Sequence, residues 1–123
     1  VIVLCAHSMP SVGRIPGRPL PVPRADVVIG SQGRTTAAPQ LLLEVARVAS
    51  AFGWTTAHDD PYAGGATTIR LGQPEHGQHA IQLELARRLY LDETTLRRLP
   101  QGMAIVRSFC RTLVAKLGAT AVG

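Results

Sequence analysis

The stretch that decides the fold runs from His79 to Glu93 and reads HAIQLELARRLYLDE. Its first half alternates: every second position is Ile or Leu, and the positions between them are Ala80, Gln82 and Glu84. Because strand side chains point to alternate faces of a sheet, this pattern predicts a strand with one buried face. Helix-forming residues follow it. Glu84 is thus a carboxylate at the end of a buried strand, where burial and a nearby cation can tune it for acid–base chemistry.

Composition indicates an ordinary folded protein. Of the 123 residues, 46% are hydrophobic and 17% are charged, which excludes a disordered chain and is enough for one domain with a real core. We therefore predict a single domain over residues 1–123. Aromatic residues make up only 4%, so the core must be mostly aliphatic.

The net charge of +5 comes mainly from arginine and raises the possibility of nucleic-acid binding. The basic residues are scattered along the chain, however, and aromatic residues are not interleaved among them. A solvated arginine-rich surface or a small anion site is the better interpretation. We predict no nucleic-acid partner.

Two cysteines, Cys5 and Cys110, lie among apolar residues outside any CxxC motif, which is typical of free thiols in a reducing compartment. The chain shows no basic leader, and its apolar runs stay far below the roughly 18 residues of a membrane span. We expect a cytoplasmic protein that does not bind membranes. The chain opens directly on an apolar run, as if a larger fold were cut at a strand, so a partial fold is expected.

The remaining segments alternate strands with helices, which favours an α/β fold with a mostly parallel or mixed sheet flanked by helices. Residues 11–24, rich in Pro, Gly and Arg, are predicted to be a loop, either a functional lid or substrate loop or a disordered excursion. The other predicted elements are strands at 1–5, 26–30, 54–57 and 67–71, helices at 39–52 and 101–117, and a short helix at 93–99 in which Glu93 would pair with Arg97.

Several residues could carry chemistry, and each has a plain structural alternative. His7 could bind a metal or simply be satisfied by the backbone at a strand end, and the residues alone favour the second. Glu84 could transfer protons or pair with an arginine such as Arg70 or Arg87. Arg70 could hold a substrate carboxylate or lie exposed on a strand. Tyr62, Gly64 and Gly65 belong to a turn beside any such site, and His79 is predicted at the surface or behind a metal ligand.

Three stretches in this order resemble one known family. Together with the His79–Glu93 stretch, Ala6-His7-Ser8-Met9-Pro10 and Asp60-Pro61-Tyr62-Ala63-Gly64-Gly65 resemble the N-formylglutamate amidohydrolases, zinc hydrolases related in fold to the zinc carboxypeptidases. The resemblance covers nearly the whole chain but only the C-terminal half of the family's usual length. It implies a zinc-exopeptidase-like fold.

The resemblance also implies a site and a reaction. His7 matches a zinc ligand, Glu84 the general base and acid, and Arg70 a residue that grips a substrate carboxylate. Tyr62, Gly64 and Gly65 would lie near the substrate. The implied reaction is hydrolysis of N-formyl-L-glutamate, a small acidic N-acyl amino acid of histidine degradation, to formate and L-glutamate. Zinc would polarise the formyl carbonyl and activate water, with its other ligands, a His and a Glu, outside this chain.

The sequence departs from the family pattern beside the first of these residues. Cys5 and Ala6 stand where the family usually has Asp and Cys, so a carboxylate that could orient His7 is absent. Other hypotheses therefore stay open. The chain could be inactive by itself, could be a non-catalytic remnant that keeps an anion pocket, or could be another zinc exopeptidase or cell-wall amidase. Oligomeric state is not predicted.

Overall fold

The fold is built from short strands and three helices. The computed structural model describes residues 1–122, and within them the chain forms β1 (Ile2–Met9), β2 (Val12–Gly13), β3 (Val22–Pro23), β4 (Val27–Gly30), α1 (Pro39–Ala51), β5 (Thr56–His58), α2 (Ala66–Leu71), β6 (His79–Ala86), β7 (Leu91–Asp92), β8 (Arg97–Arg98) and α3 (Pro100–Ala119). Single 3-10 turns lie at Pro74–His76 and Arg87–Leu89.

A four-stranded mixed sheet forms the centre, in the order β1-β6-β4-β5. β6 runs parallel to β1 and antiparallel to β4, whereas β4 and β5 are parallel and are joined through α1. The predicted α/β class is confirmed, and so is the predicted β–α–β unit around α1. All eight residues of β6 are buried, as expected for a strand with a neighbour on each side.

One face of the sheet carries the main core. The aliphatic positions of β6, namely Ile81, Leu83 and Leu85, pack there against α1 and α3. An aromatic group closes one end of this core: the ring of Trp54 lies 4.7 Å from that of Phe109 on α3, centroid to centroid. The periodic apolar stripes of the two long helices thus cover the same face of the sheet, and both helix predictions hold to within two residues at each end.

The opposite face is thinner and holds the polar residues of the strands. A small cluster of Met9, Val28 and Ala86 lies there, with Tyr62 packed against it. The short helix α2 also packs on this face, against β6 and β1. This face therefore has room for side chains that do chemistry, because no long apolar helix covers it.

The predicted strand at 67–71 is wrong, because Ala66–Leu71 forms the helix α2. Thr67, Thr68 and Ile69 are β-branched and favour a strand locally. Packing on the sheet overrides that preference: Thr68 is fully buried, while its neighbours on either side face solvent, as one turn of a docked helix requires.

The predicted short helix at 93–99 is also wrong, since β7 and β8 pair there as a small antiparallel hairpin. The Oδ1 atom of Asp92 accepts hydrogen bonds from the backbone N–H groups of Thr94 and Thr95 at 2.9 and 3.1 Å, which makes an Asx turn. Leu96 completes the loop with a φ of 59°. Arg97 therefore lies in a strand, and the expected helical pair with Glu93 does not form.

The proline-rich stretch at 11–24 forms a small ladder. β2 and β3 pair antiparallel, and the Arg24 N–H donates to the Ser11 carbonyl at 2.9 Å. The segment thus returns to its starting point as a closed loop. No helix within residues 1–122 combines the length and apolar character that crossing a lipid bilayer requires.

Candidate functional site

The structure brings His7 and Glu84 side by side. They are direct partners in the parallel pairing of β1 with β6, so both side chains point to the thinner face of the sheet. Each lies two residues before the carboxyl end of its strand, the position where open α/β sheets place ligands. His7 is exposed, whereas Glu84 keeps only 7% of its surface accessible. The two residues that matched the family motifs thus form one cluster.

Glu84 is held by a hydrogen bond rather than by an ion pair. The side-chain amide of Gln82 donates from Nε2 to Oε1 of Glu84 over 3.0 Å. Ion pairs within 4.0 Å in the part of the chain that the structure describes join other residues, so the predicted alternative of a pair with Arg70 or Arg87 is wrong. A buried carboxylate without a counter-ion in contact is a costly arrangement that function can explain.

Burial raises the pKa of the Glu84 carboxyl above its ordinary value of 4.5. The charges of His7, Arg87 and Arg24 and the hydrogen bond from Gln82 act in the opposite sense, but burial outweighs them. A raised pKa brings the carboxyl closer to neutral pH, where one group can both accept and release a proton. Glu84 therefore has the properties of a general base and acid.

The glycine turn is connected to this carboxylate through the side chain of Gln82. Gly65 donates its backbone N–H to Oε1 of Gln82 over 2.8 Å, and Gly64 has a φ of 109°, which only glycine adopts without strain. The turn also presses on the sheet: a Cβ built on Gly30 would lie 2.8 Å from the Gly64 nitrogen. Glycine at both positions lets the two backbones approach, and this brings the turn beside Gln82, the strand partner of Gly30.

Tyr62 lies on the same face and has an arginine partner that sequence reasoning missed. Arg24 donates from Nη1 to the Tyr62 hydroxyl oxygen over 3.2 Å, and its guanidinium carbon lies 5.4 Å from the centre of that ring. Arg24 is near enough to Glu84 to lower the pKa of that carboxyl. It comes from the proline-rich loop, where the local pattern carries no signal for a site.

Arg70 lies in the last turn of α2, not on a strand, and its side chain is exposed. The helix that carries it packs on β6 and β1, so the residue belongs to the element covering the site. No salt bridge to it forms within residues 1–122. Its role in gripping a substrate carboxylate stays a prediction.

A second set of hydrogen bonds, made by Arg88, holds the edge of the site where β6 ends. The Arg88 guanidinium donates to Asp26 Oδ1 at 2.7 Å and to the carbonyls of Ser11 and Arg24. Burial alone would raise the pKa of Asp26, but hydrogen bonds from Thr55 and Arg88 outweigh burial and lower it. The loop that carries Arg24 is therefore tied to the end of the candidate catalytic strand.

The residues present do not by themselves make a catalytic zinc site. Such a site takes about three protein ligands with one position open. Across residues 1–122, no group of three His, Cys, Asp or Glu side chains is placed to hold a metal ion, and His7 is the one candidate ligand beside Glu84. His79 was predicted at the surface or behind a metal ligand, but it is buried at the start of β6, away from His7, where its Nδ1 accepts from the Ala38 N–H at 3.3 Å.

Known proteins resemble this arrangement in sequence and in fold. Residues 1–91 match the family described as N-formylglutamate amidohydrolase. The N-formylglutamate deformylase of Pseudomonas aeruginosa is 36% identical over 69 residues, which is 55% of this chain and 26% of that protein. The crystal structure of an N-formylglutamate amidohydrolase from Ralstonia eutropha JMP134 superposes with a TM-score of 0.75 at 30% identity, covering 93% of this chain and 40% of that one.

The family match over residues 1–91 includes both strands that carry His7 and Glu84, and the glycine turn between them. The chain spans only about a quarter to two fifths of the length of the relatives it matches. The family match nevertheless covers well over half of this chain, and the sheet, the α/β class and the paired strands agree with it. This chain belongs to the N-formylglutamate amidohydrolase family.

Proposed function

We propose that this chain carries the proton-transfer and substrate-binding side of a site that hydrolyses N-formyl-L-glutamate to formate and L-glutamate. The observation that carries the proposal is Glu84: a buried carboxyl with a raised pKa, beside His7 and next to a glycine turn. The names of the two relatives, an N-formylglutamate deformylase and an N-formylglutamate amidohydrolase, support the proposed substrate.

Glu84 would act twice in this reaction. As a carboxylate it takes a proton from the water that attacks the formyl carbon, and as a carboxylic acid it returns that proton to the nitrogen of the leaving amine. The C–N bond breaks, the new C–O bond remains in formate, and the amine leaves with the proton. Such general acid–base help is worth about 10²–10⁴-fold in rate.

The two carboxylates of the substrate need cationic or N–H donors. Arg70 on α2 and Arg24 in the loop are the arginines that the proposal assigns to them, because guanidinium groups bind carboxylates bidentately. The Tyr62 hydroxyl, held by Arg24, and the Gly64–Gly65 backbone would line the same pocket. A small acidic N-acyl amino acid is thus the proposed ligand class.

His7 is the one residue of this chain that the proposal assigns to zinc. The imidazole would be one ligand, and the remaining ligands would have to come from outside this chain. Bound zinc would supply Lewis acidity to the formyl carbonyl. A cytoplasmic location and a place in histidine degradation stay predictions.

Formate release tests the proposal. The chain is incubated with Zn²⁺ and N-formyl-L-glutamate together with the part of a family member that supplies the remaining zinc ligands, and E84Q is compared with E75Q, whose glutamate lies exposed in the 3-10 turn at 74–76. We expect E84Q to reduce release about 10²–10⁴-fold and E75Q to leave it unchanged. Release that survives in E84Q would contradict the proposal.

A second candidate function, a non-catalytic anion-binding domain, has one observation in its favour, the absence of a three-ligand metal group within residues 1–122. It predicts that the chain binds N-formyl-L-glutamate in calorimetry, takes up no stoichiometric zinc in equilibrium dialysis and releases no formate. Cleavage of N-acyl dipeptides in preference to N-formyl-L-glutamate would instead indicate an exopeptidase or amidase.

A further inference from the structure

One glutamine joins the two halves of the candidate site. Gln82 lies on β6, two residues before Glu84, and its side chain points to the same face, where only 9% of its surface is accessible. Its Oε1 accepts the backbone N–H of Gly65 at 2.8 Å, and its Nε2 donates to Oε1 of Glu84 at 3.0 Å. A single amide group therefore contacts both the glycine turn and the carboxylate.

The chemistry of the neighbours fixes which way this amide points. A backbone N–H can only donate, so the carbonyl oxygen of Gln82 must face Gly65. The NH₂ group must then face Glu84, where it needs an acceptor. Oε1 of Glu84 is that acceptor, and within the chain as described, Oε2 receives no hydrogen bond. The two carboxyl oxygens of Glu84 therefore differ, because one is hydrogen-bonded and the other is not.

We propose that Gln82 is a positioning residue, which holds Oε1 of Glu84 so that Oε2 alone faces the reacting groups. Its catalytic meaning rests on the proposed function of Glu84. Because the same amide is bound to Gly65, the orientation of the carboxylate is linked to the position of the glycine turn. Gln82 itself need not touch the substrate.

A purely structural role is the alternative. Buried polar groups need partners, and Gln82 could be present only to satisfy the Gly65 N–H. The two roles differ in what happens to Glu84. A structural glutamine leaves the Glu84 side chain in place when the amide NH₂ is lost, whereas a positioning glutamine does not.

Three variants separate these roles. Q82M is close in shape and loses both hydrogen bonds. Q82E keeps an acceptor for Gly65 and loses the donor to Glu84. Q73L is the matched control, because Gln73 is exposed and makes only a long 3.4 Å bond to the Arg70 carbonyl. Urea denaturation confirms that each variant folds.

Nuclear magnetic resonance measures both contacts on the metal-free chain, at a pH where the carboxyl ¹³C shifts show that both carboxylates of Q82E are ionised. We expect Gly65 amide exchange to become about fivefold faster in Q82M, which corresponds to a hydrogen bond worth about 1 kcal/mol, and not faster in Q82E. Side-chain couplings of Glu84 should show one rotamer in the wild type and Q73L, and averaging over several in Q82M and Q82E.

A Glu84 side chain that keeps one rotamer in Q82M would overturn the proposal, as would unchanged Gly65 exchange there. If Q82M fails to fold, Q82E decides: one retained rotamer overturns the proposal, and averaging with a protected Gly65 supports it. These measurements need no turnover, so they stand even if the proposed hydrolysis fails. In an active preparation, Q82E should lower kcat about 10–100-fold with KM little changed.

Discussion

Replacing one glycine of α3 tests how tightly that helix is seated behind the candidate catalytic strand. Gly102 lies in the first turn of α3, and a Cβ built there would lie 3.0 Å from Cα of Tyr90 and closer still to the carbonyl oxygen of Leu89. Both atoms belong to backbone, in or directly after the 3-10 turn that follows β6. We predict that G102A forces the helix and this turn apart.

The magnitude follows from two opposing effects. Overpacking a close contact costs about 1–3 kcal/mol, and backbone atoms cannot relieve it by rotating away as a side chain can. Alanine in a helix gains about 0.5–1 kcal/mol over glycine. We therefore expect G102A to lose about 1–2 kcal/mol of unfolding free energy. The matched control is G118A in the last turn of the same helix, where the added Cβ meets nothing within 4 Å and should stabilise by about 0.5 kcal/mol.

Urea denaturation followed by Trp54 fluorescence measures both variants. Trp54 is the single tryptophan, and its ring packs on Phe109 of α3, so its emission reports on docking of this helix. The urea midpoint should fall for G102A and rise slightly for G118A, with the denaturant slope unchanged in each. Equal midpoints for the two variants, or a more stable G102A, would refute the close approach of the two backbones.

Three further outcomes follow from the packing and charge of single residues. Burial lowers the pKa of His79 below its ordinary value of 6.5. The stability that the neutral imidazole contributes is therefore complete above pH 6.5 and is lost as the pH falls through the pKa of the folded state. H79N keeps a hydrogen-bond acceptor but does not titrate, so its urea midpoint should fall less on acidification. G30A should cost about 1–3 kcal/mol in urea and shift the amide resonances of residues 62–64, because the new methyl group meets their backbone. R88M should lower the free energy of unfolding by about 1 kcal/mol, a modest loss because the Arg88 side chain is 38% exposed. R47M removes only a surface ion pair at 3.7 Å and should change the urea midpoint little.

Elements with strong local periodicity could be predicted from the sequence. The alternation at 79–85 predicts a strand and the apolar stripes of α1 and α3 predict helices, and the structure confirms all three elements. The single buried face predicted for β6 is wrong, because Gln82 and Glu84 on its other face are buried too. The errors came where local preference and packing disagree. The β-branched residues of α2 favour a strand in isolation, but docking on β6 and β1 decides for a helix.

The site could be predicted only in part, and for a related reason. His7 and Glu84 were identified from separate motifs, but 77 positions separate them, and only the strand pairing shows that they are partners. Arg24 gave no signal, because its position depends on a loop that closes on itself through Ser11. Long-range pairing and loop closure are set by the whole fold, which a local pattern does not contain.

The arrangement divides the chemistry unevenly between the two strands. β6 is buried along its whole length and carries Gln82 and Glu84 with a defined hydrogen-bond partner for each. β1 pairs on one side only within residues 1–122, and its His7 is exposed. The carboxylate of Glu84, for which we propose proton transfer, is held by Gln82 of the same strand, and Gln82 is bound to the glycine turn. The candidate metal ligand has no such support, so we expect metal binding, rather than the placement of Glu84, to depend on what else contacts β1.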